Sequence, residues 1–137
     1  MNAQEFETAV RELRQVQRRF FRCKKDDPDR EKSKMLMREK EAVVREVVEK
    51  VMAIRPRGKR VDNEREQFFL DVAEMLRKQK EWMMQGGGRW YMNPAKDAEL
   101  TVDKQLTKWD EQRKEEEKAR QAELLKNQTS LFDETDS

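Results

Sequence analysis

The chain has 137 residues, of which 44 % are charged; its formal net charge is +2, and it has one cysteine and no histidine. That length fits one domain with a tail, the lone Cys23 excludes an internal disulfide, and the missing histidine removes the commonest general base and metal ligand. No stretch approaches the ~20 apolar residues needed to cross a bilayer. With no signal-like apolar run at the N-terminus either, a soluble, cytoplasmic protein without membrane attachment is expected.

Glycine (4) and proline (3) are scarce and the apolar residues recur with helical spacing, so the chain reads as four helices. The first carries Phe6, Val10, Leu13 and Phe20 on one stripe, with Gln17 at the intervening position. "KKDDPDR" (24–30) ends it, since Pro28 cannot continue a helix and Asp27 or Asp29 can cap the next. The second helix runs to about Ile54 on Leu36, Val44, Val47, Val51 and Ile54. A basic linker, "RPRGKRVDN" (55–63), follows, with Asp62 or Asn63 available to cap the third helix. That helix carries Phe68, Val72, Met75, Gln79 and Trp82. "QGGGRWYMNP" (85–94) then reverses the chain, with Pro94 near the first turn of the fourth helix and Trp90 and Tyr91 capping the core. Ala98, Val102, Leu106 and Trp109 form the last apolar stripe. Beyond Asp110 the helix continues as a polar one through i,i+4 pairs such as Glu116 with Arg120, and residues 127–137 are expected to be a disordered tail.

The third helix repeats the first. Phe6, Val10, Leu13, Gln17 and Phe20 become Phe68, Val72, Met75, Gln79 and Trp82, each shifted by 62, and Glu12 corresponds to Glu74. Glu41, Val44 and Val48 match Glu99, Val102 and Leu106 at an offset of 58. A duplicated helix–loop–helix unit is the simplest account. The expected fold is therefore all-α: a four-helix bundle of two helical hairpins, residues 1–54 and 64–126, joined by the linker at 55–63. A hairpin this short buries too little alone, whereas two stacked hairpins share one core. At about 1.5–3 kcal/mol per large side chain buried, the margin is small enough that a homodimer lengthening the core fits it.

Catalytic signals are missing. Cys23 has no histidine partner, and Glu12 and Glu74 lack the Glu-x-x-His pattern of carboxylate metal sites in bundles, so both read as solvated. "GGGRWYM" lacks the Gly-Lys-Ser/Thr of a phosphate loop. No catalytic residue, metal or cofactor is expected, and the chain is not read as an enzyme. Gln17 and Gln79 lie within apolar stripes and read as a buried hydrogen-bonded pair that fixes register. Between Arg11 and Lys25, seven basic residues face the single acid Glu12. Arg11, Arg14, Arg18 and Arg22 form a 3-4-4 stripe with two open uses: phosphate contact on DNA, or solvation against glutamates of a neighbouring helix. Trp90 and Tyr91, if exposed beside Arg89, could stack on bases.

The end of the chain is different in kind. "QTSLF" (128–132) places Leu131 beside Phe132 in an otherwise polar segment whose only charged residues afterwards are acids, Asp133, Glu134 and Asp136. The segment resembles the short motif by which bacterial proteins dock onto the replication sliding clamp: Gln128, Ser130, Leu131 and Phe132 match, and Thr129 departs where leucine is commoner. The resemblance covers five residues and leaves the bundle unassigned. It implies an interaction module recruited to the clamp during DNA replication or repair. The alternative is a helical protein of a phage or mobile element that inhibits or remodels a host protein through its bundle surface.

Overall fold

A computed structural model describes the backbone of residues 1–135 and every side chain among them except those of Arg89 and residues 129–135. The architecture is the expected all-α bundle: α1 (Ala3–Arg22), α2 (Arg30–Ile54), α3 (Glu64–Met84) and α4 (Arg89–Thr135), with no strand among the described residues. Two compact units partition the chain, Met1–Asp103 and Lys104–Ser137.

Local chemistry sets the helix ends. Asn2 caps α1 by accepting from the Glu5 N–H at 2.8 Å, and Asn63 caps α3 by accepting from Glu66 at 2.9 Å. Asp29 occupies the N-cap of α2 without a side-chain bond to the helix; Asp27 instead closes the turn by accepting from the Asp29 N–H at 2.9 Å. At the end of α3 the Gly86 N–H reaches the Met83 carbonyl and the Gly87 N–H reaches that of Trp82, with φ at 73° and 80°. This is a Schellman closure, and both glycines supply the left-handed backbone it needs. The fourth helix starts earlier than its proline suggests, at Arg89, with Pro94 inside it. The Gly88 carbonyl accepts from Tyr91 and Met92, and so near the start Pro94 forfeits only the bond to the Trp90 carbonyl. At the other end the helical backbone continues to Thr135, across the segment read from sequence as an unstructured tail.

Glu66 ties the linker to α3. Its carboxylate accepts from the Asp62 N–H at 3.0 Å and from Arg55 at 2.9 Å, with Lys59 at 3.4 Å. The Asp62 N–H first, then the Arg55 guanidinium, hold its carboxyl below the ordinary range. A carboxyl depressed in the folded state stabilises it above the unfolded-state value, and that contribution is lost as pH falls through the folded-state value. Glu66→Gln should therefore lower the melting temperature at neutral pH and become indistinguishable from the parent in strong acid. A difference that stays constant down the pH series would refute the ionic role.

The buried residues match the repeat stripes. In the first unit Phe6, Val10, Leu13, Phe20, Val44, Phe68, Val72 and Val102 are buried, while Trp82 is only half-buried; in the second, Leu106 and Trp109 are buried. On α2 the stripe fades: Val44 and Val48 are buried, Leu36 and Val47 half-buried, Val51 exposed and Ile54 82 % exposed. Register explains this. Lys40 bonds Glu12 at 2.9 Å and Ser33 lies beside Cys23, so α2 runs antiparallel to α1 and outruns its start at Ala3. Val51 still lines a cavity with Met1, Ala3 and Phe6, whereas Ile54 lies past the start of α1. Trp90 and Tyr91 are both exposed, Trp90 at 90 %, so they do not cap the core as the sequence suggested.

α1 and α3 meet in the register of the repeat. Phe6 packs edge-on against Phe68 with centroids 6.0 Å apart, and Gln17 bonds Gln79. A constant offset of 62 at both points means that the helices run parallel with equivalent residues facing. Two copies related by a twofold produce that arrangement.

Candidate functional site

The most structured polar feature of the first unit is a buried network at the α1–α3 seam. Gln17 donates to Gln79 at 3.0 Å and Gln79 donates back at 3.1 Å, so each amide answers the other. Gln79 also donates to Glu99 at 2.9 Å. Arg14, 4 % exposed, donates to Gln17 at 2.6 Å and grips Asp103 through Nε and Nη2 at 2.8 and 3.0 Å. Glu99 lies 3.4 Å from the same guanidinium. Burial of an arginine is tolerable here because its two carboxylates and the Gln17 carbonyl oxygen satisfy it.

This network breaks the pseudo-symmetry. The repeat counterpart of Arg14 is Leu76, buried in the core, and that of Asp103 is Arg45, which bonds Glu41 on its own helix. The stripe positions hold like residues in both repeats; here one repeat carries an interhelical ion pair and the other does not.

The arginine stripe consequently divides. Arg14 is consumed by the network and is withdrawn from phosphate contact. Arg11 is half-buried and bonds Glu7 at 2.8 Å, itself 1 % exposed and also held by Arg65 at 2.7 Å. Arg18 stays exposed, with Nη1 3.6 Å from Asp103. Arg22 is exposed and makes no ion pair among the described residues. The spacing placed all four on one face correctly, but it could not show that a helix carrying Glu99 and Asp103 covers part of that face. Glu99 was signalled by its match to Glu41; nothing signalled Asp103. The remaining acids behave as surface groups, Glu12 bonding Lys40 and Glu74 bonding Arg77 at 2.7 Å.

Two grooves flank the seam. Phe21 and Trp82 form a tilted ring pair, centroids 5.9 Å apart, and both rings border both grooves. A cavity of about 310 Å³ opens beside α2, where Met37, Glu41, Met83 and Lys80 complete the wall. The other, about 390 Å³, opens toward α4 and adds Arg18, Arg22, Met92 and Lys96. The Trp82 indole N–H is buried and meets no acceptor among the described residues.

Comparison with known protein families, curated proteins and solved structures finds no match to this chain. Of the sequence-derived clamp motif, Gln128 is exposed, and the side chains of Ser130, Leu131 and Phe132 lie outside the described residues.

Proposed function

We propose that this protein is a non-enzymatic helical adaptor recruited by the bacterial replication sliding clamp through Gln128, Ser130, Leu131 and Phe132, acting in DNA replication or repair. The observation that carries the reading is the QTSLF sequence, approached through a run in which every residue from Glu111 to Gln128 is exposed. None of that run is committed to packing. An amide with both donor and acceptor orients a docked peptide, and adjacent Leu131 and Phe132 fill apolar pockets. Their burial contributes about 3–6 kcal/mol before ordering costs, and backbone hydrogen bonds bring the affinity to roughly micromolar.

The test is calorimetry against purified clamp with three proteins: the full chain, a chain ending at Asn127, and Leu131→Ala/Phe132→Ala. Binding by the first, loss in the other two and identical helical melts are expected. Unaltered binding after truncation would refute the motif. An earlier melt of the truncated chain, with no binding by any of the three, would make the Leu-Phe pair a structural latch.

A further inference from the structure

The groove toward α4 has a composition that neither the clamp reading nor the core requires. Arg14 is answered by Asp103 and Glu99 and adds little net charge to its wall, whereas Arg18 is exposed and only shares Asp103, at 3.6 Å, so its guanidinium still reaches the groove. Arg22 and Lys96 are exposed, line the same groove and have no carboxylate partner among the described residues. Between these cations lies an aromatic surface, Phe21 at 52 % exposure backed by Trp82. A half-exposed ring beside two cations offers a face for stacking. The Phe21 ring touches those of Phe20 and Trp82 yet stays half in water, whereas Phe20 is buried. Arg18 and Arg22 also line an adjoining recess of about 480 Å³ with Gln15, Arg19 and a single acid, Asp27, which extends the net-positive track along the end of α1.

We infer that this groove binds single-stranded nucleic acid, with one base stacked on Phe21 and the flanking phosphates held by Arg22, Lys96 and Arg18. Aromatic faces beside a cationic track suit unpaired bases, because every base offers a π-face and a duplex hides it. The ring pair gives a stacking platform without base-edge donors, so little sequence preference is expected. The equivalent groove on the α2 side differs in the respects that matter: there Arg45 is neutralised by Glu41, leaving Lys80. The site is independent of the C-terminal motif and stands or falls without it.

Fluorescence anisotropy with the full chain and a labelled oligothymidylate of ~10 nucleotides tests this. Binding at low salt is expected, with log affinity falling against log salt at a slope of about −2 for three phosphate contacts. Phe21→Ala should weaken binding about tenfold with the slope unchanged. Arg22→Gln/Lys96→Gln should reduce the slope by about 1.4. Arg22 and Lys96 are exposed, so the circular-dichroism melt of their double variant should overlay that of the parent; Phe21→Ala gives up ring contacts with Phe20 and Trp82, so its affinity is read at a temperature where its melt shows it fully folded. A hairpin duplex of the same phosphate count should bind more weakly. Absence of binding at low salt overturns the inference, as does parental affinity of Phe21→Ala. Equal affinity for the duplex would leave a purely electrostatic surface and overturn the stacking site.

Discussion

Val72→Asp is expected to abolish the folded state. Val72 is fully buried in α3, facing α1 in the register that sets Phe6 against Phe68 and Gln17 against Gln79. An aspartate there must remain ionised without a partner or become neutral at the expense of its hydration, at a cost of several kcal/mol. Small domains have about 5–15 kcal/mol in total, and this one is low in apolar residues. Far-UV circular dichroism should show most helix lost at room temperature. Leu100→Asp, on a residue 52 % exposed, serves as the control and should stay within about 0.5 kcal/mol of the parent. A cooperative melt of Val72→Asp near the parent's temperature would remove Val72 from the core.

Arg14→Ala is expected to be the most damaging truncation of a polar side chain. It leaves Asp103 with only the exposed Arg18 at 3.6 Å and Glu99 with only the Gln79 amide, two carboxylates side by side, and takes one donor from Gln17. Loss of one partner of a buried pair costs about 3–5 kcal/mol. Asp103 and Glu99 keep some contact with solvent, 22 % and 16 % exposed, which puts the cost near the lower limit, about 3 kcal/mol. The double variant Arg14→Leu/Asp103→Leu should recover part of that loss, because the second change removes one of the two carboxylates that lost the guanidinium. Denaturant titrations of the single and double variants measure both. A cost for Arg14→Ala below about 0.5 kcal/mol would show that the guanidinium is dispensable.

Much of this arrangement was readable from spacing. The stripe residues of α1 and α3 identified both the buried faces and, through their offset of 62, the residues that face one another. Gln17 and Gln79 stood out because an amide inside an apolar stripe needs a partner, and the repeat supplied it. What spacing could not reveal was tertiary cover. Arg14 and Arg22 share a face on a helical wheel, yet one is buried under α4 carboxylates and the other faces water. Likewise Ile54 fits the α2 stripe but extends beyond the start of α1, and Val51 borders only an open cavity beside Ala3 and Phe6. Pro94 misled in the opposite sense, because its steric signature marks where a helix can begin and not where it must. The clamp motif and the cationic groove are different cases. The first was visible only as a string of letters, and the second required α1, α3 and α4 to be brought together.

The exposed stretch of α4 from Glu111 to Gln128 affects how the whole protein would unfold. Its helix rests on local pairs, such as Arg120 with Glu117 at 3.4 Å, which are each worth only a few tenths of a kcal/mol. A helix of that length without tertiary packing is marginal in water. Its amides can therefore open at almost no free-energy cost, while those of α1 near Val10 and Leu13 exchange only through global opening. Deuterium uptake would thus sort the amides of one chain into fast and slow classes. Ellipticity would decline with temperature before the cooperative transition begins, since the arm unwinds progressively while the core holds. A van't Hoff enthalpy fitted to that whole curve would mix two processes and fall below the calorimetric value.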